Sequence, residues 1–214
     1  MPTLLIRLAA PLQSWGSNSK FEIRTTEKMP TKSGVAGMLA AAMGMKRDAD
    51  LSELNGLRFG VRADREGEDI TDFHTVHSEK SSYVTYRHYL CDAVFLVGLE
   101  GEEKLLEKLK KALQNPRFPL FLGRRSCPPT LPIVMGIRYV PLETALREEA
   151  PLVEKHEDLL RIQIEATQLG GGIVQDMPVS FNPSRRAYRY RRVEEYLVEC
   201  HQSETEHDAI QELR

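Results

Sequence analysis

The apolar pattern opens with a strand. In Thr3–Ala9, Leu4, Ile6 and Leu8 recur at every second position, and Pro11 ends the run. From Ser14 to Met29 the chain carries Trp15, small polar residues and mixed charges, too little apolar content for a packed element, so a loop is expected there. The period then changes. Over Pro30–Met45, Val35, Met38, Leu39, Ala42 and Met43 fall on one helical face, with Thr31 or Ser33 available as a cap. Gly34, Gly37, Ala40 and Ala41 leave this helix slim enough to press on a sheet or a partner backbone. A short strand at Arg58–Ala63 runs into the turn-rich Asp64–Asp69. The following segment, Asp72–Tyr89, alternates with polar residues on both faces, which suits a projecting arm better than a buried strand. Val94–Leu99 is a strongly apolar strand, and Glu102–Gln114 is a helix with Leu105, Leu106, Leu109 and Leu113 toward the core and Asn115-Pro116 as its stop. A last strand is predicted around Ile133–Val140.

The order β, α, β, β, α, β is that of an α+β, ferredoxin-like (RRM-like) sheet with a long excursion between its second and third strands. The expected division is a domain over 1–140, interrupted by a hairpin insertion at about 66–90, followed by a smaller β-rich segment over 141–214. That second part starts with an acidic, weakly patterned connection. It continues through Leu160–Ala166, a Gly170-Gly171-Gly172 turn and an Arg/Tyr segment, and its tail from Gln202 is polar.

Composition narrows the class. With 214 residues, 41% of them hydrophobic and 28% charged, the chain can bury a sizeable core, and nothing in it repeats. The three cysteines, Cys91, Cys127 and Cys200, have no CxxC spacing, which argues against a disulfide framework or a zinc ribbon and makes a reducing cytoplasm the expected compartment. No apolar run is long enough to span a bilayer, so no membrane partner is expected. The net charge of -2 would weaken a nucleic-acid reading, but the charges are segregated. Arg117, Arg124, Arg125 and Arg138 share a stretch without acids, five arginines crowd into Arg185–Arg192, and acids gather between Glu143 and Glu165. Basic faces are compatible with such a total.

Four segments carry candidate chemistry. Pro30-Thr31-Lys32-Ser33-Gly34 sets a lysine, a hydroxyl and backbone N–H groups at a helix N-terminus, where a phosphate can bind; mere capping explains the same residues equally well. The glycines of a Walker A loop are missing. His74, His77 and His88, with Lys80, Tyr83, Tyr86, Arg87 and Tyr89, would suit metal-independent RNA cleavage, or an arm that holds RNA or another subunit without reacting. No cysteine or carboxylate joins these histidines at metal-ligand spacing, so neither metal nor cofactor is expected. The loop Leu120–Pro129 presents Arg124 and Arg125 after Gly123, with Cys127 read as a packing residue rather than a nucleophile. In Arg185–Arg192, alternation puts Arg185, Arg189 and Arg191 on one side and Arg186, Tyr188, Tyr190 and Arg192 on the other. Either side could follow a nucleic-acid backbone, and a solvated edge strand is the plainer alternative.

Taken together, Leu12-Gln13-Ser14-Trp15-Gly16, Pro30–Gly34, Asp72-Phe73-His74-Thr75-Val76, Tyr89-Leu90-Cys91-Asp92-Ala93 and Leu122–Pro128 resemble the CasD family, the type I-E subunits of the bacterial CRISPR complex Cascade, over about residues 3 to 192. The resemblance implies a ferredoxin-like domain with a β-hairpin thumb that grips the 5′ handle of the guide RNA (crRNA) at one end of an antiviral assembly. The filament-forming CasC and the large CasA subunit are its implied neighbours. It implies no small-molecule substrate and a non-catalytic role, since guide processing in type I-E systems belongs to CasE. A related type I-C branch cleaves its repeat RNA, which keeps a metal-independent endoribonuclease as the alternative. On this basis phosphate contact is expected from Lys32, Ser33, Arg124 and Arg125, with Ser126 beside them, and base or backbone contact from Trp15, His74, Arg87 and Tyr89. The RNP1 aromatic pattern is missing from Ala93–Leu99, so the sheet face is expected to be covered and RNA to bind on loops.

Overall fold

The computed structural model describes residues 1–16, 22–77, 81–154, 159–167 and 170–199. Lys80, Cys200 and the polar tail from Gln202 lie outside the described residues. Its elements, in chain order, are β1 (Thr3–Ala9), β2 (Leu12–Gln13), β3 (Ile23–Arg24), α1 (Lys32–Ala42), α2 (Ser52–Asn55), β4 (Arg58–Arg65), β5 (Glu68–His77) and β6 (Ser82–Cys91). They continue with β7 (Val94–Glu100), α3 (Glu103–Gln114), β8 (Val134–Arg138), α4 (Leu142–Glu148), β9 (Leu159–Glu165), β10 (Gly172–Ser180) and β11 (Ala187–Glu199).

Seven strands form one sheet in the order β10-β11-β9-β4-β7-β1-β8. Every neighbouring pair in it is antiparallel. Helices α1 and α3 cover one face: Val35, Met38, Leu39, Leu106, Leu109 and Leu113 pack with Leu4, Ile6, Leu8, Phe59, Val61 and Phe95 in one apolar cluster. Thr31 caps α1, its side chain accepting a hydrogen bond from the Gly34 amide, so the helix starts two residues later than the apolar pattern suggests.

The stretch beyond Pro141, read from sequence as a weakly patterned connection, folds into α4 and closes the other face. Leu142, Ala145 and Leu146 cluster there with Leu5, Leu96, Leu160, Ile162 and Ile164. Its apolar residues keep helical spacing but are too few to stand out among charged neighbours. Two cross-strand glycines make room for it. Gly60 and Gly98 are register partners, and a Cβ on them would stand 2.8 Å from Leu146 Cδ1 and 2.5 Å from Leu142 Cδ1, respectively. With both faces covered, β7 is buried from Val94 to Leu99, which accounts for its unbroken apolar run. The central region of the sheet therefore has no open face, as the missing RNP1 aromatics suggest.

Between β4 and β7, β5 and β6 form a hairpin whose ladder runs from Glu68↔Cys91 to His77↔Ser82. β5 is exposed along nearly its whole length, as polar residues on both faces suggest. The base of the hairpin is tied down by β2, which pairs with β6 at Cys91 and Leu90, and by β3, which pairs in parallel at Tyr86 and Arg87. β9, β10 and β11 extend the main sheet beyond β4. No helix among the described residues is long and apolar enough to cross a membrane.

Candidate nucleic-acid interface

A cleft of about 420 Å³ opens where the first turn of α1, the loop at 121–124, β3 and the approach to β11 meet. The loop is clamped to the chain after β2: the Ser14 amide donates to the Leu122 carbonyl, and the Leu122 amide to the Cys127 carbonyl. Gly123 sits there at φ 82° and faces the Ser14 carbonyl oxygen so closely that any Cβ would collide with it. This pins Arg124 at the rim. Ser33, Arg24, Arg124, Phe121, Phe181, Arg186 and Tyr188 all line the cleft.

The arginines reinforce one another. Arg24 on β3 is the register partner of Arg87 on β6, and the Arg124 Nη2 donates to the Arg24 carbonyl at 2.7 Å. The Arg124 guanidinium also lies 4.5 Å from the centre of the Tyr89 ring. Arg124 Nη1 and Arg87 Nε are buried donors without an acceptor among the described residues. Guanidiniums brought to one cleft favour a polyanion, because a bound phosphate offsets their positive charge and takes charge-assisted hydrogen bonds from them. Burial pushes the Tyr89 phenol up, but hydrogen bonds with Arg124 and Ser126 outweigh this and hold it below its ordinary value. Arg125 and Ser126 are exposed on the same loop.

Two of the residues expected to contact RNA are enclosed. Trp15 is only 1% exposed, with its indole N–H donating to Gln13 and its ring packed beneath Gly34, where a Cβ would stand 2.7 Å away. It forms a wall of the cleft rather than a free stacking platform. Lys32 is 3% exposed, and its ammonium donates to Glu165 and to the carbonyls of Asn55 and Leu57. Desolvation lowers its pKa, with Glu165 opposing, and the neutralised, enclosed charge has no phosphate to meet. Sequence pattern cannot show that the partner carboxylate stands 133 residues away.

The histidines do not assemble. Cross-strand partners share a face of the hairpin, and successive residues alternate. His74 pairs with Thr85, whereas His88 pairs with Thr71, three positions along β5, so the two imidazoles leave from opposite faces. His77 pairs with Ser82 at the far end of the ladder. Each has a local partner: His74 Nε2 meets Asp72 at 2.6 Å, His77 Nδ1 meets Ser82 at 2.7 Å, and His88 Nδ1 meets Thr71 at 3.2 Å. His74, Arg87 and Tyr89 do share one face, the face that continues toward Arg124. Cys127 is buried, and burial pushes its thiol up, as suits a packing residue. No group of three or more His, Cys, Asp or Glu side chains among the described residues is placed to hold a metal ion.

Several cleft residues leave only a partial trace in the sequence. Alternation puts Arg186 and Tyr188 on one side without telling which side faces a site, while Phe121 lies in a loop marked by its arginines. Arg24 and Phe181 carried no pattern signal at all.

Comparison with known proteins gives consistent matches. The model of a family of CRISPR-associated proteins, Cas5, matches residues 3–194. The CRISPR system Cascade subunit CasD of Escherichia coli strain K12 is 38% identical over 157 residues, 62% of this chain and 70% of that protein. Among solved structures, a chain of a CRISPR RNA-guided surveillance complex aligns with a TM-score of 0.81 and 34% identity, covering 92% of this chain and 90% of that one. A Cas protein seen in a crystal structure aligns with a TM-score of 0.73 and 46% identity, covering 92% and 95%.

Proposed function

Because the chain belongs to the Cas5 family of CRISPR-associated proteins, we propose that it is a non-catalytic subunit of a type I-E Cascade complex that holds the 5′ handle of the guide RNA. The observation that carries this reading is the convergence of Arg24, Arg124 and Arg186 on one cleft, with Arg87 beside them on the ladder and Ser33 and Tyr188 in the same walls. Phosphates would meet the guanidiniums and Ser33, and a splayed base would stack on Tyr188. Arg125, Ser126 and His74 extend the surface along the loop and hairpin, while Tyr89, itself only 3% exposed, holds Arg124 in place.

The order β8-β1-β7-β4, with α1 and α3 on one face, supports a ferredoxin-like, RRM-like core. With α4 closing its second face, this core serves as a scaffold and leaves recognition to its loops. We read residues 1–140 as the ferredoxin-like unit that supplies most of the RNA-binding surface, the β5–β6 hairpin as its thumb, and the described residues beyond 140 as a β-rich extension that adds Arg186 and Tyr188 to that surface. In the cytoplasm the protein would cap the CasC filament next to CasA and contribute to antiviral defence. It needs neither a cofactor nor a small-molecule substrate. Since a handle has constant sequence, shape and backbone contacts suffice to hold it, and target choice is left to guide pairing.

Crosslinking labelled guide RNA within the reconstituted complex tests the proposal. Handle nucleotides should crosslink to the segments carrying Arg24, Arg124 and Tyr188. Crosslinks confined to other subunits would overturn it. Incubating the chain with repeat RNA in chelator tests the alternative: cleavage to a 2′,3′-cyclic phosphate, lost in His74→Ala or His88→Ala, would make the protein an endoribonuclease.

A further inference from the structure

Two buried ion pairs join the first turn of α1 to the last three strands. The Lys32 ammonium meets Glu165, at the end of β9, at 2.9 Å. At the other end of the same residue, the Lys32 backbone amide donates to Asp176 Oδ2 at 2.7 Å, and this carboxylate on β10 also accepts from Arg191 Nε and Nη2 at 2.6 and 2.8 Å. Asp176 is 4% exposed and Arg191 6%. The Arg191 guanidinium is stacked 5.1 Å from the centre of the Phe59 ring.

Well-packed hydrophobic residues commonly match or exceed the stability of such buried pairs, so stability alone is a weak reason for this arrangement. Its position is more telling. Ser33 and Gly34, which follow Lys32, form one wall of the cleft, while Arg186 and Tyr188, which precede Arg191 on the same strand and its approach, form another. Asp176 bonds to both runs at once. We propose that Asp176 is a positioning residue for guide RNA, fixing the separation between the α1 wall and the β11 wall so that one stretch of backbone can meet Ser33 and Arg186 together. This rests on the RNA-holding role proposed above. Hydrophobic replacement could preserve the fold, but it has no directional bond to the Lys32 amide and leaves the two walls free to drift.

Trp15 is the chain's only tryptophan and packs beneath Gly34, so its emission reports the position of that wall. The test compares wild type, Asp176→Asn and the pair Asp176→Leu/Arg191→Met. Emission and melting are read on the free full chain, and handle RNA binding is read in the reconstituted complex. The expected pair variant folds but melts below wild type, because the buried Lys32 amide loses its acceptor, shifts the Trp15 emission and loses roughly tenfold in affinity, the scale of one lost base stack. Asp176→Asn, which keeps an acceptor for the Lys32 amide, should fall between the two. A folded pair variant with wild-type emission and affinity overturns the proposal; if the pair does not fold, wild-type affinity in Asp176→Asn overturns it instead. Arg124→Ala and Arg186→Ala serve as a separate control. If they leave handle binding unchanged, the RNA reading fails, while the Trp15 emission still shows whether Asp176 sets the wall.

Discussion

Under the proposed role, the dependence of RNA binding on salt follows from counting guanidiniums. Arg24, Arg124 and Arg186 line the cleft from three separate segments, so a bound strand can lay three phosphates against them. For single strands, each neutralised phosphate adds about 0.7 to the slope of log affinity against log salt. Replacing all three by alanine should therefore flatten the slope by about 2, and each single replacement by about 0.7. Over a fourfold rise in salt, the wild type would lose roughly 18-fold more affinity than the triple variant. Tyr188→Ala is the internal contrast, because losing a stacked base costs about 1–3 kcal/mol without touching a counterion. Its binding should weaken while its slope stays at the wild-type value. The assay is filter binding or fluorescence anisotropy of the reconstituted complex with labelled guide RNA over a salt series. An unchanged slope in the triple variant would refute the phosphate assignment, even if affinity fell, since the fall would then reflect lost structure.

Other consequences concern stability and titration. All five N–H donors of Arg62 are used, on both Asp64 oxygens and on the carbonyls of Leu146, Glu149 and Ala150, so this side chain ties the end of α4 to β4. Arg62→Met strands the buried Asp64 carboxylate and should cost about 3–5 kcal/mol, while Arg62→Met/Asp64→Leu recovers only part of it, since the carbonyls of Leu146, Glu149 and Ala150 and the Leu152 amide still lose their partners, as read by thermal denaturation. The Tyr89 phenol has a lowered folded pKa, so its stabilising contribution is present above the unfolded value near 10.0 and is lost as pH falls through the folded value. Ultraviolet titration should show Tyr89 ionising early in wild type, and Arg124→Ala should move it upward, because burial then acts with one opposing donor fewer. Cys127, buried with its thiol pushed up, should resist alkylation at neutral pH until the protein unfolds, which peptide mapping of labelled protein checks.

The candidate site was legible where a signal is local. Gly123 followed by two arginines marks a tight loop that offers guanidiniums, and the loop is built that way. The alternation in Arg185–Arg192 separates Arg186 and Tyr188, which reach the cleft, from Arg191, which is buried on Asp176. The histidine-rich hairpin was equally visible as an arm. Its ladder register, set by pairing over ten positions, puts His74 and His88 on opposite faces, and that arrangement weakens the catalytic alternative.

Local pattern is enough to specify the set of elements and most of their inward faces, because periodicity and caps depend on neighbours within a turn or two of the chain. Tertiary structure decided which polar groups are consumed inside and which remain for a ligand. Lys32 and Arg124 both looked like phosphate binders. Lys32 finds Glu165, far along the chain, and is neutralised, whereas Arg124 packs against Tyr89 and the Arg24 carbonyl while still lining the cleft. A charge is committed or left available by what surrounds it in space, and contacts between distant segments leave no mark in local spacing.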